Sequence, residues 1–275
     1  IPGPSALGEL RGSERSMRVI PILFPSDLGR AEGEAPRASG LRGAPDVLLD
    51  LLEDQGVRFG RSVTLSVPVP TSAGEAPVPF DAEHVAAAEA LATAVVEVND
   101  RGDFPLVLGG DHTAMLGHVL GHSRRHPRGF GLALLAEPQL DLCLPEEADI
   151  ARCVLAGALG RFPEGSALAD TLRAIAVSPA QTTVAGVRGE ETKREVALEQ
   201  TTGIDVWRME RIELDGEQAY RSVLERNLSR GPIALSIDAR GIDPHLMAAV
   251  NDPVPDGLDW SFLKRSLEQC LPHVD

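Results

Sequence analysis

The sequence predicts an α/β fold, a three-layer α/β/α arrangement in which helices cover both faces of a central, mostly parallel sheet. Three observations predict it. Short apolar runs of strand length alternate with helical patterns along the chain. Three of these runs hand over to polar residues at their carboxyl ends, where an open parallel sheet presents its ligand sites. A chain of 275 residues suits one sizeable core, so a single domain over 1–275 is expected.

Residues 18–24 read as the first strand, and the Gly, Ser and Pro-rich stretch that follows, up to Pro45, cannot be helical throughout. Val47, Leu48, Leu51 and Leu52 mark an amphipathic helix over 44–56, stopped by Gly56. Residues 63–69 alternate as a second strand, whose prolines suit an edge, and 70–79 read as a surface loop. An alanine-rich helix spans 81–99, with Asp81 as its N-cap. Leu106-Val107-Leu108 then runs as a buried strand into Gly109-Gly110, which turns sharply without a Cβ clash and delivers Asp111-His112-Thr113. Apolar residues at helical spacing follow from Ala114 to Leu120. Strands are expected over 130–135, 182–187, 206–209 and 232–237, and helices over 150–159, 191–200 and 216–228.

Acidic residues outnumber basic ones 41 to 26, for a formal charge of -15 and a pI near 4.9. Such a surface repels nucleic-acid backbones and anionic membranes but attracts a cationic small molecule. Cys143, Cys153 and Cys270 show no paired or CxxC spacing, which fits a reducing compartment and gives no disulfide or zinc framework. No apolar run spans a bilayer and no signal pattern opens the chain, so a cytoplasmic protein is expected.

Two further strand exits match the first. Residues 131–136 run into Glu137-Pro138-Gln139-Leu140-Asp141, and 233–237 run into Asp238-Ala239-Arg240. Alternate residues share a face, so Glu137, Gln139 and Asp141, and likewise Asp238 and Arg240, are placed to converge on His112. His118, His122 and His126 recur every four residues and read as a solvated helix face. Trp207, Met209 and Trp260 read as packing residues.

Gly109-Gly110-Asp111-His112-Thr113 with Gly117, and Ser236-Ile237-Asp238 through Asp243-Pro244, resemble the arginase and agmatinase (ureohydrolase) family. Gly186-Val187-Arg188 with Glu191, Gly43-Ala44-Pro45 and Gly257-Leu258 extend the likeness over most of the chain. The resemblance implies an arginase-like fold, and two manganese ions that activate water against a guanidinium or amidine carbon. It also implies a cationic or amidino small-molecule ligand and a homo-oligomer, trimer or hexamer.

The family motifs read GGDH[ST], DAHxD and SxDxDxxDP. By resemblance His112, Glu137, Asp141 and Asp238 are the metal ligands, with Glu137 replacing an aspartate. Gln139 replaces a histidine, and Arg240 stands where the next aspartate belongs. Arg240 has no lone pair to donate and carries a fixed positive charge, so the second metal position is expected to be lost. One divalent metal or none is expected, manganese preferred, with Asp141 and Arg240 as the residues for any remaining chemistry. A shift of one residue would instead put Ala136, Pro138 and Leu140 at the ligand positions and leave no metal.

Other family features are absent. The His-Gly after the second motif aligns with Ala151-Arg152, the Arg-Asp-x-Asp-Pro pattern shortens to Arg188-Gly189-Glu190-Glu191, and the family's C-terminal strand and helix have no counterpart before Asp275. The expectation is therefore an arginase-fold protein without ureohydrolase activity, kept for ligand binding or assembly. The alternative is a single-metal hydrolase of a guanidino, amidino or related C–N bond.

Overall fold

The apolar run Val19–Phe24 forms β1, five of its six residues buried. It is followed by α1 (Gly40–Asp54), the two-residue β2 (Val63–Thr64), α2 (Asp81–Asp100), β3 (Phe104–Gly109), α3 (Ala114–Arg125) and β4 (Phe130–Leu135). The second half contains α4 (Val154–Ala158), α5 (Ala167–Leu172), β5 (Val177–Val187), α6 (Lys193–Thr202), β6 (Asp205–Arg208), α7 (Met209–Asp215), α8 (Glu217–Leu228), β7 (Ile233–Ile237) and α9 (Trp260–Cys270). This computed structural model describes residues 17–29, 40–69, 78, 80–145, 150–189, 193–250 and 253–274.

Among the described residues every strand pairing is parallel, as alternating strands and helices require. The expected single sheet comes as two hydrogen-bonded halves, ordered β2-β1-β3 and β6-β5-β4-β7. Among the described residues β3 pairs only with β1, and the outer edge of β7 carries only the parallel bridge between Ile233 and Val274. α3 packs against both β3 and β7 and so ties the halves together. The carboxyl ends of β3, β4 and β7 therefore open toward one place.

Several local expectations are corrected. In α1 the buried residues are Pro45 and Leu49, whereas Val47, Leu48 and Leu51 are exposed. The helix meets β1 and β3 by a narrower face than its apolar spacing suggests. The second strand shrinks to two residues in a proline-rich stretch that cannot sustain a ladder. α5, α7 and α9 go beyond the expected elements. α9 is capped by Asp259, which accepts from Phe262 N at 2.6 Å, and it stacks Phe262 on Tyr220 of α8 at 4.9 Å.

Asp81 does not cap α2. Phe80 holds that position at φ 51 with no side-chain cap bond. Asp81 instead accepts from Ala167 N, Ser166 Oγ and Leu168 N at 2.7, 2.8 and 2.9 Å, so it serves the N-terminus of α5 and joins it to α2. Asp81→Ala is expected to cost about 1–2 kcal/mol in a denaturant titration, the range for a lost helix cap. An unchanged midpoint would refute that role.

The histidine stripe is not a solvated face. Gly117 and Gly121 bring α3 close to α2: an added Cβ would lie 2.7 Å from Leu91 Cβ and 2.9 Å from Ala92 O respectively. The adjacent stripe is thereby turned inward, with His122 wholly buried against Phe130. Trp207 packs internally under the guanidinium of Arg211, but Trp260 is 62% exposed and packs little. Among the described residues no disulfide joins Cys143, Cys153 or Cys270. Among the described residues no helix is long and apolar enough to cross a membrane.

Candidate metal centre

The exit of β3 is built around Gly110, where a Cβ would sit 2.3 Å from Ser26 O and 2.5 Å from Leu41 O, so only glycine fits. Asp111 does not join the site. Its carboxylate accepts from Gly29 N at 2.9 Å, Thr113 N at 3.0 Å and Ser26 Oγ at 3.1 Å, and also from the Thr113 hydroxyl. Asp111 thus locks the turn, and His112 is the residue sent into the cluster. Ser26 and Gly29 could not be picked out from the sequence, because no local spacing links them to a residue more than eighty positions away.

The exit of β4 is held in unusual backbone geometry, with Ala136 at φ 61 and Asp141 at φ 47. Such non-glycine conformations persist only where the surroundings impose them, and they gather at functional sites. Here the neighbour is Gly241, whose added Cβ would lie only 1.5 Å from Ala136 O. The backbones after β4 and β7 are pressed together. This register brings Glu137 and Asp141 to the cluster, while Ala136 and Leu140 are buried apolar residues.

His112, Glu137, Asp141 and Asp238 each offer a ligand atom, all within 4.8 Å of one another. His112 Nδ1 lies 3.0 Å from Asp141 Oδ2 and 3.6 Å from Asp238 Oδ2, and Nε2 lies 3.3 Å from Glu137 Oε1 without hydrogen-bond alignment. Burial pushes the His112 imidazole down, yet Glu137, Asp141 and Asp238 together carry it well above the usual histidine range. Burial pushes Glu137 up to about 7 against the pull of His112. Burial also opposes ionisation of Asp238, but His112 and Arg240 outweigh it and hold that carboxyl below the usual range.

Arg240 occupies the remaining flank. Its Nε and Nη2 donate to Asp238 Oδ2 at 2.8 and 2.5 Å, and Nη2 lies 3.5 Å from Asp141 Oδ2. Asp238 in turn accepts from Arg240 N at 2.9 Å, which fixes the turn as well as the side chain. Arg188 clamps the same turn by donating to Arg240 O at 2.8 Å and Gly241 O at 3.2 Å. That clamp was hidden in the sequence by the fifty residues between them. Gln139 is half-buried, and its Oε1 finds no partner among the described residues. Glu190 and Glu191 lie outside the described residues.

The side chains present are of the kind that holds a hard divalent cation. Among the described residues both carboxylate oxygens of Glu137 and Oδ1 of Asp141 are buried with no hydrogen-bond partner, an arrangement a metal satisfies and an apolar core does not. Three carboxylates and one imidazole form a donor set suited to manganese-like ions. On the Arg240 side a guanidinium already neutralises Asp238.

The family model described as Arginase family matches residues 24–273, and the chain belongs to that family. Human Arginase-1 is 29% identical over 187 residues, covering 63% of this chain and 56% of its own length. The chain thus spans little more than half of that relative. Among solved structures, an arginase from Bacillus subtilis superposes with TM-score 0.73 at 25% identity, covering 93% of this chain and 86% of its own. An arginase from Entamoeba histolytica in complex with L-ornithine gives TM-score 0.79 at 19% identity, over 94% and 90% of the two chains.

Proposed function

We propose that this arginase-fold chain holds one divalent cation, manganese by the hardness of the donors, on His112, Glu137, Asp141 and Asp238. In this reading it binds a small cationic or amidino ligand and does not carry out two-metal ureohydrolysis. The observation that carries the proposal is the Arg240–Asp238 pair inside the carboxylate cluster. A fixed guanidinium there opposes a second cation and supplies the positive charge that the carboxylates need.

When bound, the cation supplies Lewis acidity toward a coordinated ligand. The chain's own groups do the rest. His112 and Glu137 give up their protons to make room for it, Asp141 is held by its strained backbone, and Arg240 keeps Asp238 ionised and oriented. The net charge of -15 favours a cationic ligand over an anionic one. L-ornithine, the ligand of the Entamoeba relative, is a suitable first probe. The family resemblance also supports a homo-oligomer, which light scattering reads directly.

A second reading, hydrolysis of a guanidino or related C–N bond with one metal, draws on the accessibility of Arg240, whose side chain is 24% exposed and able to meet a substrate's anionic group. Elemental analysis after incubation with manganese, together with a urea-release assay, separates the two. One ion per chain and no urea is the expected result. Two ions per chain would overturn the role given to Arg240, none would overturn the metal site, and steady turnover with one ion would favour the second reading. Combining Arg240→Asp, Gln139→His and Glu137→Asp is expected to raise bound manganese from one ion to two. Unchanged binding would mean that these positions are not the lost ligands.

A further inference from the structure

A pair of imidazoles on α3 lies outside the acidic cluster of His112, Glu137, Asp141 and Asp238. His118 and His122 are one helical turn apart on the same face, with ring centroids separated by 6.2 Å. All four of their ring nitrogens are shielded from solvent and make no hydrogen bond among the described residues. His122 is wholly buried, its ring edge-on to Phe130 at 4.6 Å and beside His126 at 4.5 Å. Buried polar atoms are nearly always satisfied, and an apolar side chain at these positions would pack against Phe130 at no such cost. Two adjacent imidazoles left without partners call for something that takes their lone pairs.

We propose that His118 and His122 form a two-imidazole chelate for a late transition-metal ion of the zinc, copper or nickel class, at a site separate from the acidic cluster. Imidazole pairs suit these borderline ions, whereas carboxylate-rich sets suit manganese and magnesium, so the two sites divide metals by donor chemistry. Coordination requires neutral rings. Burial provides them, pushing His118 down to about 4 and His122 to about 2. Arg125, whose charge acts on His122, is turned toward Asp100 at 3.2 Å. Chelation across this turn would brace α3, the helix that begins immediately after the His112 turn. The inference does not depend on how the acidic cluster is loaded.

The test uses the full chain stripped with EDTA and titrated with Cu²⁺ under electron paramagnetic resonance. The expected spectrum shows superhyperfine splitting from two nitrogens, retained in His112→Asn, which removes the only imidazole of the acidic cluster, and lost in His118→Asn and His122→Phe. Absence of a two-nitrogen species in the wild-type chain, or its survival in His118→Asn, overturns the proposal. A second measurement needs no variant. Zn²⁺ added to the ¹⁵N-labelled wild-type chain is expected to shift the ring nitrogens of His118 and His122, and unmoved resonances refute the site even if a variant fails to fold.

Discussion

Replacing Arg240 with methionine is expected to destabilise the metal-free protein by about 3 kcal/mol, since removing one partner of a buried ion pair strands the other charge. Asp238 is only 8% exposed, and Asp141 and Glu137 lie beside it with even less access to water. In the native chain Arg240 is the fixed cation that makes this concentration of carboxylates tolerable. Methionine keeps the aliphatic bulk and leaves the carboxylates to find a counter-charge elsewhere. The difference therefore narrows when metal is present. Manganese is expected to bind the Arg240→Met protein more tightly than the wild type and to recover most of the lost stability, whereas it stabilises the wild type less. Denaturant titration with and without manganese checks both halves. Equal stability of the two proteins without metal would show that Arg240 is not compensating the cluster, and equal manganese affinity would show that it does not oppose a cation.

Much of this site was legible because its residues sit at strand ends, where local pattern suffices. The run into Gly109-Gly110 and the limits of β4 could be read from apolar runs meeting turn residues. The parallel register of β4 on β7 then sets Glu137, Asp141 and Asp238 together, and His112 reaches them from β3 in the other half of the sheet. What escaped depends on contacts between distant segments. Asp111 carries the same local signal as His112, yet Ser26 and Gly29 turn it away from the cluster. Asp81 has the composition of a cap and acts as one, but for a helix more than eighty residues later. The division of the sheet into two halves has no local signal at all. The histidine stripe misled for the opposite reason. A four-residue repeat of polar side chains reads as a wet face, and only the close approach permitted by Gly117 and Gly121 turns it inward.

That inward turn makes the metal-free protein sensitive to acid in a way the acidic cluster does not explain. A histidine kept neutral by burial takes up its proton only in the unfolded chain as pH falls below about 6.5. Its contribution to stability is therefore complete above that pH and is lost progressively below it. For His118 the loss levels off once the folded ring itself titrates, at about 4, while His122 continues toward about 2. At 1.36 kcal/mol for each tenfold difference in proton affinity, His118 alone accounts for about 3 kcal/mol between pH 6.5 and 4. His84, also pushed down by burial, acts in the same direction but is common to wild type and variant and cancels in their difference. The double change His118→Leu and His122→Phe removes both groups while keeping apolar bulk against Phe130. Measured in EDTA, its stability curve is expected to fall less steeply than that of the wild type below pH 6.5, the gap reaching about 3 kcal/mol or more at pH 4. Parallel curves would mean that solvent reaches these rings in the native state and that the stripe is wet after all.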